Sequence, residues 1–115
     1  MKSEFDMRTH AMAERFLIRK GCEIVDSNPL GGVFDLVAKT EEGVIVFVTL
    51  DAQAVGKVDG LPVEKRPDRA ALERAAAKWL AGYSSSDFPV RFDSMALLVL
   101  NDSRGFLRYH KNVLG

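Results

Sequence analysis

The period of the hydrophobic positions changes along this chain. Near the start, Met12 and Phe16, like Ala13 and Leu17, stand four apart and share one face of a helix. Ser3 followed by Asp6 resembles a capping box, and Gly21 sits where a left-handed C-cap is wanted. The apolar face is expected to be core packing. Three strand-like stretches follow. Residues 22–25 are short and rich in β-formers. After the turn chemistry of Asn28-Pro29-Leu30-Gly31-Gly32 comes a second stretch, Val33 to Ala38. Thr40-Glu41-Glu42-Gly43 then reads as a hairpin turn into Val44-Ile45-Val46-Phe47-Val48. That last run is unbroken and β-branched, the pattern of a strand covered on both faces.

Residues 52–65 hold two glycines and a proline without periodicity, which predicts a mobile loop. Pro67 suits the first turn of a second helix, in which Leu72, Ala75, Ala76, Trp79 and Leu80 recur at helical spacing. Arg69, Glu73 and Lys78 occupy its other faces, and Gly82 with Ser84-Ser85-Ser86 closes it. Residues 91–100 and 105–109 read as two strands joined by a turn at 101–104. The order is α-β-β-β-α-β-β, an α/β fold with an open mixed sheet and a helix on each face. It reads as a single domain over residues 1–115, with no repeat or low-complexity tract.

Composition narrows the function. Lys plus Arg and Asp plus Glu stand at 16 each among 115 residues, so bulk charge does not favour nucleic acid, although a local basic patch is compatible with it. A single cysteine, Cys22, excludes an intrachain disulfide and fits a reducing compartment. It reads as a small buried hydrophobe. The polar N-terminus lacks the apolar segment of a signal peptide, and no apolar run is long enough to cross a membrane. The expectation is a cytoplasmic domain without a membrane partner. P-loop, dinucleotide-binding and zinc-knuckle patterns are absent from the sequence.

Asp35 is the chemical oddity. It interrupts the apolar run Val33-Phe34-Asp35-Leu36-Val37, where an ionised carboxylate is costly unless paired, hydrogen-bonded or bound to metal. Period two sets it on the face of Val33 and Val37. The next strand ends in Thr49-Leu50-Asp51, whose two polar residues also share a face. Two carboxylates converging there could hold a hard cation such as Mg²⁺.

The spacing of an acid, a turn and an apolar strand with two polar positions at its end resembles the PD-(D/E)xK nucleases, the fold of restriction enzymes and Holliday-junction resolvases. More closely, the chain resembles the uncharacterised YraN family. Ala13-Glu14-Arg15-Phe16-Leu17 to Lys20-Gly21 is similar to A-A-R-Y-L…K-G, and residues 31–38 (GGVFDLVA) to G-G-E-I-D-L-I-A. Residues 47–51 (FVTLD) fall on F-V-E-V-K, residues 72–80 on L-x-x-A-A-x-x-Y-L, and Pro89-Val90-Arg91-Phe92-Asp93 on P-V-R-F-D. The resemblance implies a restriction-endonuclease-like mixed sheet of about five strands flanked by helices.

It also implies a degenerate cutting centre. Asp35 keeps the first metal-ligating carboxylate, but Thr49 stands for the second acid and Asp51 for the lysine that helps activate water. Val33 replaces a glutamate, and Thr9-His10 replaces a G-E pair. Metal-assisted phosphodiester hydrolysis needs a clamp on the cation and a group that stabilises the attack. Threonine is a weak ligand and aspartate repels the substrate phosphate, so ordinary cutting is not expected, nor is a resident cofactor. A rearranged Mg²⁺ or Mn²⁺ site of His10, Asp35 and Asp51 is the alternative, with Lys39 or Lys57 replacing the lysine. Against it, His10 reads equally as an exposed helix residue, Asp51 as a strand-end carboxylate and Asp35 as a hydrogen-bonded remnant.

Lys65, Arg66 and Arg69 at the second helix, and Arg104, Arg108 and Lys111 near the C-terminus, are the basic groups able to touch phosphates, or simply solvated surface. Three readings follow: an inactive nuclease-like domain that binds nucleic acid, a protein-interaction or regulatory module on the same scaffold, or a metal-dependent endonuclease with rearranged ligands.

Overall fold

The computed structural model describes residues 4–27, 33–54, 68–83, 89–101 and 104–113. Helix α1 (Glu4–Arg19) is followed by strands β1 (Glu23–Ser27), β2 (Leu36–Lys39) and β3 (Ile45–Ala54), helix α2 (Arg69–Tyr83), and strands β4 (Val90–Val99) and β5 (Gly105–His110). The five strands form one mixed sheet in the order β1-β2-β3-β4-β5. β3 and β4 are parallel, while the other neighbours are antiparallel. A parallel pair needs a long crossover, and α2 lies on it. The α/β fold and element order expected from the hydrophobic pattern are those observed.

Each helix covers one side of the sheet. Ala13 and Leu17 of α1 pack with Leu36, Ala38, Val46, Val48 and Met95. Leu72, Ala76 and Trp79 of α2 pack with Phe34, Val37, Ile45 and Phe47. Strand β3 therefore has Ile45 to Val48 wholly buried, odd positions toward α2 and even positions toward α1. On the α2 side Phe47 stacks on Phe92 at 5.7 Å and meets Trp79 edge-on at 5.6 Å.

The ends of the elements follow their local chemistry. Gly21 adopts φ 89°, its N–H donates to Ile18 O, and Cys22 N–H donates to Leu17 O, which is the Schellman closure of α1. Ser3 lies outside the described residues, as does Pro67. Asp68 caps α2 through Oδ1, which accepts from Ala71 N–H at 3.3 Å. At the β2–β3 turn Gly43 has φ 87° and Val44 N–H donates to Thr40 Oγ1.

Three expectations are corrected. β3 continues to Ala54, so residues 52–54 are strand and not loop, because β4 supplies a parallel ladder out to Ala54 opposite Val99. Residues 55–65 of that loop lie outside the described residues. Gly82 falls inside α2, where no other atom approaches within 4 Å of the Cβ position it lacks. β2 begins at Leu36, leaving Asp35 in a bend before it. Among the described residues no helix is long and apolar enough to cross a membrane.

Candidate functional site

A register slip and a bend aim two carboxylates. In β1 the pairing with β2 shifts between Ile24 and Asp26, so Val25 packs on the α2 side and Asp26 Oδ2 accepts from Trp79 Nε1 at 2.8 Å. A bulge of this kind re-aims a side chain. The bend is at Asp35. Leu36 is already the partner of Val48, yet Asp35 N–H also donates to Val48 O at 2.9 Å. Phe34 and Val37 pack toward α2, whereas Asp35 and Leu36 both turn toward α1. The period-two placement of Asp35 beside Val37 is thereby overturned, since alternation does not survive the bend.

The carboxylate of Asp35 is engaged from two directions. Oδ2 accepts from Leu50 N–H at 2.6 Å, pairing an amide on the stretch of β3 that runs beyond the start of β2. Oδ1 lies 3.2 Å from Nε2 of His10 on α1. The His10 side chain is only 12% exposed, so its reading as an exposed helix residue is also overturned. Its Nδ1 is 2.8 Å from Asp6 O, and a carbonyl can only accept, so Nδ1 carries a proton. Nε2 is buried at ion-pair distance from Asp35, but its alignment falls short of a hydrogen bond.

The other expected members of the centre do not join this pair. Alternation along β3 carries Thr49 and Asp51 to the face of Ile45 and Phe47, toward α2. They stand in register with Ser94 and Ala96 of β4. Asp51 is half-buried within the strand, not at its end. Val33 is 44% exposed, and Thr9 is buried with its Oγ1 donating to Asp6 O at 3.0 Å. Among the described residues no group of three His, Cys, Asp or Glu side chains is placed to hold a metal ion. Lys39 occupies the opposite end of β2 from Asp35, and Lys57 lies outside the described residues. So do Lys65 and Arg66. Arg69 is exposed and pairs with Glu73 at 2.9 Å. Arg104, Arg108 and Lys111 are exposed about β5.

The most completely built polar cluster went unread in the sequence. Asp93 is 1% exposed at the centre of β4. Its Oδ1 accepts from Arg91 Nε at 2.9 Å and from Asn112 N–H at 2.8 Å, and Oδ2 accepts from Arg91 Nη2 at 3.0 Å. Tyr109 Oη also donates to Oδ2. Burial pushes the Tyr109 phenol far above its usual range, and the bond to Asp93 pushes it the same way. The hydrogen bond to Asp93 raises Arg91 as well, against the opposing effect of burial. The available signal was spacing: Arg91 and Asp93 are two apart in a strand and therefore share a face.

Cys22 is half-buried at an open cavity rather than sealed in the core, and burial raises its thiol. The chain is similar to a UPF0102 protein. That protein, from Corynebacterium glutamicum, is 31% identical over 68 residues, which cover 59% of this chain and 54% of the relative. The chain thus spans about half the length of the curated relative it matches. UPF0102 is the designation of the YraN family, so this similarity supports the resemblance to that family. No family model matches the chain.

Proposed function

We propose that this chain is a nuclease-like domain of YraN type that has given up cutting and binds nucleic acid. The observation that supports it best is the engagement of Asp35, the retained acid, by Leu50 N–H and His10. Leu50 N–H occupies Oδ2 and the His10 ring stands over Oδ1, and Thr49 and Asp51 supply neither the second acid nor the lysine. Arg15 and Arg19, one helical turn apart on α1, line a groove against β5 and offer a place for phosphates.

The test is paired. Purified protein is incubated with duplex, single-stranded and branched DNA in Mg²⁺ or Mn²⁺, and binding to the same substrates is followed as salt rises. The expected result is no cleavage and an affinity that falls with salt, weakened further by Arg15→Ala with Arg19→Ala. Metal-dependent cleavage lost in Asp35→Asn would instead establish the rearranged endonuclease of His10, Asp35 and Asp51. A protein-interaction module is the second reading, favoured by Phe106, which is 60% exposed on edge strand β5. Absence of any DNA or RNA shift, with specific cross-linking of a protein through β5, would favour that module.

A further inference from the structure

The end of α1, the β2–β3 turn, the start of β4 and the end of β5 enclose a cavity of about 420 Å³. That is the size range of small-molecule sites. We propose that it binds a small organic anion, a carboxylate or phosphate ester, anchored on Arg91 and steered by Lys20 and Lys111. The inference stands apart from the nucleic-acid reading, because it uses none of the Asp35 residues.

Arg91 is the reason the cavity is more than a surface dent. Its guanidinium is fixed through Nε and Nη2 on Asp93, which is itself held by Tyr109 and Asn112. Arg91 lines the cavity, and its guanidinium carries more N–H groups than the bonds to Asp93 take up. An anion meeting it needs no reorganisation of the protein. Lys20 and Lys111 line the same space and make no ion pair with any described residue.

The cavity is polarised. Lys20 at the end of α1, Arg91 on β4 and Lys111 after β5 line it, while Glu41 and Glu42 edge the turn side. Phe16 and Tyr109, with ring centroids 5.3 Å apart, form an apolar wall for the carbon part of a ligand. A bare inorganic ion leaves that wall uncovered.

The probes are benzoate, phenyl phosphate and inorganic phosphate, titrated into the intact chain with backbone amide shifts as the readout. Saturable shifts are expected at Gly21, Cys22, Arg91 and Lys111, at lower concentration for an aromatic anion than for inorganic phosphate. Whichever of benzoate and phenyl phosphate saturates first assigns the class. The Lys20→Ala, Lys111→Ala double variant changes only exposed side chains, and it should weaken binding by about tenfold. Independently, the saturating anion should slow modification of Cys22 by iodoacetate. Shifts that grow linearly, spread over the whole surface, or persist unchanged in the double variant would overturn the proposal.

Discussion

Asp35 and Asp93 are both carboxylates set in apolar strand sequence, and the fold treats them differently. Asp93 is sealed inside β4 and receives hydrogen bonds from Arg91, Tyr109 and Asn112. Its cationic partner comes from its own strand, and its neutral donors come from the end of β5 and the residues just after it. Asp35 stands at a bend where β2 begins, 27% exposed, with one backbone donor and a histidine that faces it without a hydrogen bond. A buried charge with a full set of donors is a structural anchor, and removing one member leaves the rest uncompensated. A half-exposed charge with one good donor is a local fastening. The contrast teaches that an acid in an apolar strand flags an unusual environment, and only its partners decide which kind.

The largest effect should come from Asp93→Asn, which leaves the half-buried Arg91 beside a neutral amide inside β4 and costs about 3 kcal/mol by chemical denaturation. A cost no greater than that of Asp35→Asn would break the comparison. Tyr109→Phe removes one donor to the same carboxylate and should cost about 2 kcal/mol.

The same tyrosine makes stability depend on alkaline pH. Its phenol is raised in the folded chain, so the unfolded chain loses the proton first. The contribution is complete below the unfolded value of about 10 and is lost as pH rises from there toward the folded value. Stability should decline through that window in the parent and markedly less in Tyr109→Phe, with the raised Cys22 thiol adding a smaller fall that begins near pH 9. Equal declines in both proteins would remove the phenol from the anchor.

Asp35→Asn keeps an oxygen able to accept from Leu50 N–H and should cost about 1 kcal/mol. His10→Gln should cost still less, roughly 0.5 kcal/mol, because it gives up an unaligned contact with Asp35 and an exposed bond to Asp6 O within its own helix. If His10→Gln proves the more damaging of the two, the histidine and not the backbone amide is what holds Asp35.

Much of the fold was legible in the sequence because its signals are local. Four-residue spacing marked α1 and α2, Gly21 marked the helix end, and the unbroken run from Val44 to Val48 marked a strand buried on both faces. What could not be read depends on neighbours. The continuation of β3 through Asp51 to Ala54 rests on the parallel ladder with β4, whose partner residues lie more than forty positions away. The aim of Asp35 rests on the bend before β2, which alternation cannot anticipate. The carboxylate singled out by its apolar surroundings was indeed special, but so was Asp93, whose partners Tyr109 and Asn112 are 16 and 19 residues distant.

The central claim is that Asp35 serves the fold and no longer serves a cation. Calorimetric titration of the intact chain with Mn²⁺, repeated on Asp35→Asn, tests it most directly. The account predicts no saturable heat in either protein. Saturable binding in the parent that disappears in Asp35→Asn, with a cation seated between His10 Nε2 and Asp35 Oδ1, would contradict it.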